Sequence, residues 1–182
     1  MPEPTAALPP DTAPPYALRP ARPDDEPFLW AMLYEAAHAA EDGMASPEEL
    51  QAIPELAHYV AGWGRRGDLG VIGIRGGEPL GAAWARTFPA NDPAYGWVDE
   101  ATPELAIGVA PAARGTGLGT ALLVRLLDEA RDRGIGAVSL SVRVDNPALR
   151  LYRRLGFVAV DGPPVLDRTG EGRSITMVTR LG

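Results

Sequence analysis

The chain has 182 residues, 46% hydrophobic and 23% charged, enough for one domain with a sizeable core and cramped for two. It has no cysteine, and its 17 basic residues are all arginine, so disulfides, thiolate nucleophiles, acyl-cysteine chemistry, Schiff bases and the lysine of a P-loop are excluded together. A net charge of −7 opposes general attraction to nucleic acid, no apolar run approaches the ~20 residues that cross a bilayer, and Met1 leads into Pro, Glu and Thr, so the reading is a cytoplasmic protein acting on neither nucleic acid nor membrane.

Residues 1–15, rich in Pro and Ala without apolar periodicity, read as a flexible leader, and 16–182 as a single domain. Tyr16–Arg19 begins the folded part as a short strand. Phe28, Leu29, Met32, Leu33 and Ala36 carry helical spacing within Asp24–Ala40, and Ser46-Pro47-Glu48-Glu49 opens a second helix with a cap, a proline and acids. Leu69–Arg75 and Leu80–Phe88 read as strands joined through Gly76-Gly77-Glu78-Pro79. After a turn-rich loop, 89–102, come strand Glu104–Val109, helix Gly117–Arg133, strand Ala137–Val142, helix Asn146–Leu155, strand Phe157–Val160 and an antiparallel strand Ser174–Thr179. This order predicts an α/β fold with six to seven strands in a mostly antiparallel mixed sheet and helices on both faces.

Between Arg114 and Arg154 eight arginines stand against four acids, a local +4 suited to an anion as much as to a solvated helical surface. The helix over 117–133 has Leu122, Leu123, Leu126, Leu127 and Ala130 on one stripe, and Gly134 stops it. Before it stands Arg114-Gly115-Thr116-Gly117-Leu118-Gly119-Thr120. Glycines there let main-chain N–H groups approach a bound group closely, and the free amides and positive dipole end of a helix invite phosphate. The spacing is G-x-G-x-G rather than the G-x-G-x-x-G of a dinucleotide fold, and taken alone the loop is equally a structural turn.

The surrounding pattern resembles the GNAT superfamily of N-acetyltransferases, whose acetyl-CoA motif runs strand, [Q/R]-x-x-G-x-[G/A], helix. Leu105 to Leu123 fits it throughout, and Asn146-Pro147-Ala148-Leu149-Arg150-Leu151-Tyr152-Arg153-Arg154-Leu155-Gly156-Phe157 resembles the family's second block. The resemblance implies that acetyl-CoA binds as co-substrate. The main chain of Ile107, Gly108 and Val109 would hold the acetyl and pantetheine portion as an added strand would. Gly115, Thr116, Gly117, Leu118, Gly119 and Thr120 would hold the pyrophosphate, with Arg114 fixing the loop or touching phosphate. Asn146 would bond the CoA arm, although Asn before Pro147 is also a favoured helix cap.

Two catalytic roles follow from the same resemblance. Tyr152 would protonate the departing thiolate, its plain reading being a core aromatic beside Leu149, Leu151 and Leu155. Glu104, ten residues before Arg114, would be the base that a protonated amine requires, with Asp99 and Glu100 as reserves. No metal is expected, and His38 and His58 lie far along the chain from the motif. Tyr95 and Trp97 could wall an acceptor pocket. The function implied is direct acetyl transfer to a small-molecule or peptide amine; the alternative is an acyl-CoA-binding sensor that performs no transfer. Members that acetylate ribosomal-protein N-termini resemble L-E-V-R-x-x-N where this chain has Leu140-Ser141-Val142-Arg143-Val144-Asp145-Asn146, and Ser141 in place of the acid weakens that reading. A homodimer would follow the family's habit.

Overall fold

A computed structural model describes residues 16–161, 165–166, 170 and 173–182; the leader 1–15 lies outside them. Among the described residues the strands are β1 (Ala17–Pro20), β2 (Leu69–Arg75), β3 (Glu78–Arg86), β4 (Glu104–Val109), β5 (Ala137–Arg143), β6 (Val158–Ala159), β7 (Val165–Leu166) and β8 (Arg173–Arg180). The helices are α1 (Glu26–Ala36), α2 (Pro54–Ala57), α3 (Leu118–Asp132) and α4 (Leu149–Arg154). One sheet runs in the order β1-β2-β3-β4-β5-β8-β6, with β7 added to β8. Every pairing is antiparallel except β4 with β5. The seven predicted strands are present, and the two-residue β7 is the addition.

The β2–β3 hairpin turns on Gly76 and Gly77, whose φ values of 59° and 86° are left-handed and fit a two-residue turn between Arg75 and Glu78. Both faces of the sheet are covered. On one, Leu118, Leu122, Leu123, Leu126 and Leu127 of α3 pack with Val71, Ala83, Leu105, Val138 and Leu140. On the other, Leu29, Met32 and Leu33 of α1 meet Leu50, Val60, Ile72 and Trp84. Each of these leucines, taken from water, contributes ~1.5–3 kcal/mol.

The helix expected over Asp24–Ala40 is shorter, because it stops in a Schellman turn. The Ala39 N–H donates to Tyr34 at 3.1 Å and the His38 N–H to Glu35 at 3.3 Å. His38 takes the left-handed position, φ 53°, where glycine is usual. The helix expected from Ser46 is a 3-10 turn over Pro47–Ala52, followed by the four-residue α2. The break comes from Pro54, which forces Ile53 out of the helical region to φ −108°, ψ 101°.

Candidate active site in the cleft between β4 and β5

Parallel β4 and β5 share a single registered pair, Glu104 with Ser139, and then part. The gap is a cavity of about 650 Å³ lined by β4 from Glu104 to Val109, β5 from Leu140 to Arg143, the glycine-rich loop, α1 and Tyr152. On the β5 side the Pro103 carbonyl accepts the Ser139 N–H at 3.0 Å, while on the β3 side the Ala110 N–H donates to Leu80 at 2.8 Å. Strand alternation therefore turns the main-chain groups of Ile107 and Val109 toward the cleft and those of Gly108 toward β3. Gly108 has a different duty: a Cβ there would collide with the Met32 carbonyl, so α1 crosses β4 only where a side chain is missing.

At the end of β4 the chain enters the loop before α3. Gly115 and Gly117 have φ of 72° and 87°, so two of the three glycines are demanded by the turn itself. At Gly119 an added Cβ would sit 3.9 Å from Ile107 and Val109, an ordinary contact, so either glycine or alanine fits. Gly117 precedes the helix without a side-chain cap, and its carbonyl takes the N–H of Ala121 at 3.1 Å. The amides of Leu118, Gly119 and Thr120 are thus free of helical partners and meet the positive end of a 15-residue helix dipole. The Leu118 side chain is fully buried against Gly73, 2.5 Å from where a Cβ would stand, and fixes the helix start on the sheet. Thr116 bonds the Tyr16 hydroxyl and the Ala113 carbonyl, so it ties the loop to the residue just before β1 rather than facing the cleft with its hydroxyl. Arg114 is half-exposed and reaches α1, its Nη2 lying 2.6 Å from Glu35.

Asn146 and Tyr152 close the β5 side. The Asn146 side-chain oxygen accepts the Ala148 N–H at 2.8 Å, an Asx turn that starts α4 three residues later than expected. Tyr152 is buried, its hydroxyl makes no hydrogen bond among the described residues, and burial pushes its phenol up to about 12. Its ring packs on Phe157 with centroids 5.9 Å apart, the hydrophobic contact of a second Schellman turn in which Gly156 has φ 87°.

Glu104 sits at the root of the cleft, 2% exposed. The Tyr59 hydroxyl donates to its Oε1 at 2.6 Å, while Oε2 is buried without a hydrogen-bond partner among the described residues. Burial raises the carboxyl from 4.5 to about 7, against the Tyr59 hydrogen bond and the nearby Gly96 amide, which pull it down. The reserves are employed elsewhere: Asp99 accepts the N–H groups of Ala101 and Thr102, and Glu100 that of Ala90. Tyr95 lines the cavity, whereas Trp97 turns away and donates to the Phe88 carbonyl at 3.0 Å. Sequence reasoning missed Tyr59, Glu35 and Asp42 and set His38 aside, although all four line the cavity. The one signal for His38 was its place after α1, and the sequence alone did not mark where that helix stops. Among the described residues no group of three His, Asp or Glu could hold a metal ion, and no helix is long and apolar enough to cross a membrane.

The sequence that builds this unpaired strand edge, helix start and buried carboxyl matches the acetyltransferase (GNAT) family model over residues 26–157. The chain belongs to the GNAT acetyltransferase family. Curated relatives include the mycothiol acetyltransferase of Pseudarthrobacter chlorophenolicus, 35% identical over 93% of this chain and 49% of that protein. The mycothiol acetyltransferase of Cellulomonas flavigena is 31% identical over 93% of this chain and 50% of its own. The GNAT chain thus spans about half the length of the curated relatives it matches. Among solved structures, ribosomal-protein-alanine N-acetyltransferase from Brucella melitensis has a TM-score of 0.68 at 24% identity, covering 91% of this chain and 99% of that one. The protein yncA from Salmonella typhimurium, solved with its cofactor acetyl-CoA, has a TM-score of 0.66 at 24% identity over 92% of this chain and 94% of its own. Both share the GNAT fold described above.

Proposed function

We propose that this GNAT chain transfers an acetyl group from acetyl-CoA to a small polar amine by direct attack in a ternary complex, with no covalent acyl-enzyme. The observation that carries the reading is the buried, half-tied Glu104 carboxyl at the root of β4, lining one cavity with the cleft-facing edge of that strand and the glycine-rich loop that leads to the free amides of α3. The residues fit acetyl-CoA: left-handed Gly115 and Gly117 and the amides of Leu118–Thr120 suit a pyrophosphate, and the amides of Ile107 and Val109 suit a pantetheine arm. Arg114 and Asn146 stand at the rim of the same cavity. Acetyl-CoA supplies the activated thioester; the protein has to deliver a neutral amine and accommodate a thiolate.

Glu104, titrating at about 7, is charged in a large share of molecules at neutral pH, yet basic enough to take a proton from a bound ammonium. Its unpartnered Oε2 is the accepting atom. The Val109 or Ile107 amide would polarise the carbonyl under attack. Tyr152, at about 12, keeps its proton throughout. Full transfer to a thiolate whose thiol titrates near ~8.5 would be uphill by about 3.5 units, so the hydroxyl acts as a hydrogen-bond donor to the leaving sulfur, which takes up the second proton that the nitrogen sheds as the tetrahedral adduct collapses and departs as the CoA thiol. Because curated relatives are named mycothiol acetyltransferases, amines related to mycothiol are the first acceptors to try. The carboxylates of Glu104 at the root of the cavity and of Glu35 and Asp42 in its lining suit a cationic, polar acceptor rather than a greasy one.

The test is calorimetric titration with acetyl-CoA, repeated on Gly117→Glu, followed by thiol-release assays over an amine panel. Micromolar binding lost in the variant, together with amine-dependent CoA release that Glu104→Gln abolishes, is the expected result. Failure of well-folded protein to bind acetyl-CoA would overturn the reading. Tight binding with no turnover on any amine would leave only the sensor function.

A further inference from the structure

Tyr59 lies 45 positions before Glu104 in the chain and is 6% exposed. Its hydroxyl has two partners with fixed directions. The Tyr95 N–H, at 3.1 Å, can only donate, so the phenol oxygen receives there and its own proton points at Glu104 Oε1, 2.6 Å away. Three segments meet at this one oxygen: the stretch after α2, the loop over 89–102, and β4. The ring is held in turn by His58 and Phe88, with centroids 5.0 and 5.3 Å away, so the hydroxyl cannot swing to another acceptor without repacking.

Resting on the reading of Glu104 as the base, we propose that Tyr59 is a positioning residue: it holds the Glu104 carboxylate by Oε1 and presents Oε2 to the acceptor amine. A carboxylate tied at one oxygen has one rotamer and one accepting atom. The charged groups around it leave Tyr59 as its one strong donor. Arg86, paired across β3, is bound to Asp68 at 2.6 Å and to the His58 and Ala61 carbonyls. Ser139 across β5 is uncharged, His58 faces Asp92 at 3.2 Å, and the Gly96 amide adds a smaller pull. His38, Glu35 and Asp42 line the same cavity from α1 and the turns after it, His38 contacting Glu41 and Glu35 contacting Arg114. Burial by itself would protonate Glu104 at neutral pH; the Tyr59 bond opposes that.

The test reads the carboxyl directly, with no acceptor needed. Protein labelled with 13C at glutamate is titrated by NMR, Glu104 being the carboxyl resonance that disappears in Glu104→Gln. Loss of a hydrogen bond to a charged group moves a midpoint by about one to two units, so Tyr59→Phe should shift Glu104 from about 7 to 8 or above. The charged fraction at pH 7 would then fall from about one half to one tenth or less. An unmoved or lowered midpoint in folded Tyr59→Phe overturns the proposal. Should that variant fail to fold, incorporation of 3-fluorotyrosine at all five tyrosines supplies a more acidic phenol and should lower the midpoint; no fall overturns the proposal equally. Failure of the base reading is separate, because it appears as undiminished amine acetylation by Glu104→Gln.

Discussion

Replacing Glu104 by glutamine should make this protein more stable at alkaline pH while removing its activity. In the folded state burial lifts the carboxyl from 4.5 to about 7, so the native protein binds this proton more tightly than the unfolded chain does. Such a group stabilises the fold fully below pH ~4.5, and its contribution is lost as the pH rises through ~7. At about 1.36 kcal/mol per unit the whole window is worth about 3.4 kcal/mol, of which ~2.5 kcal/mol falls between pH 5 and pH 8.5. Glutamine cannot ionise, has nearly the same shape, and keeps an oxygen for the Tyr59 hydroxyl. The other titrating groups cancel in the comparison of the two proteins. Urea unfolding, followed by the fluorescence of the four tryptophans, should therefore show the stability difference growing in favour of Glu104→Gln by ~2.5 kcal/mol from pH 5 to pH 8.5. A difference flat to within about 0.5 kcal/mol across that range would refute the assignment of a raised, desolvated carboxyl.

Three further outcomes follow from the cleft. Gly108→Ala forces a methyl into the Met32 carbonyl and should destabilise the fold by about 3 kcal/mol in urea, because backbone rather than a side-chain tip must move. In the loop, Gly117→Ala at φ 87° should cost about 1–2 kcal/mol of stability and weaken acetyl-CoA binding, whereas Gly119→Ala should leave unfolding unchanged to within about 0.5 kcal/mol; calorimetry and urea unfolding separate the two. Tyr152→Phe removes a hydroxyl with no partner among the described residues, so stability and acetyl-CoA affinity should hold while turnover at saturating acetyl-CoA drops about 10²-fold in a thiol-release assay.

The sheet was readable because its strands carry β-type runs punctuated by glycine and proline, and α3 because Leu122, Leu123, Leu126 and Leu127 repeat on one stripe. The region between α1 and β2 was not. Its apolar residues look helical as far as Ala40, and a left-handed His38 is invisible where no glycine announces it. The 3-10 turn over 47–52 carries the same start signals as a true helix, and only the restriction that Pro54 places on Ile53 ends it.

The two halves of the site differ in the same way. Apart from Asn146, the residues proposed to hold acetyl-CoA lie in one continuous stretch, three of whose glycines the backbone itself requires: Gly115 and Gly117 by their φ values, Gly108 by the approach of α1. Even the second block has a mechanical account, with Gly156 closing α4 and Phe157 resting on Tyr152. A motif that shapes backbone in this way can be recognised from spacing. The proposed acceptor half is the part of the cavity lined by Glu35, His38, Asp42, Tyr59, Tyr95 and Glu104, drawn from α1, the turns after it, the stretch after α2, a loop and β4. Spacing along the chain carries no trace of the Tyr59–Glu104 bond, since the two meet only because the segment after α2 lies over the root of β4. On the proposed reading, variation in that scattered half changes which amine is admitted while the helix start and the strand edge stay fixed.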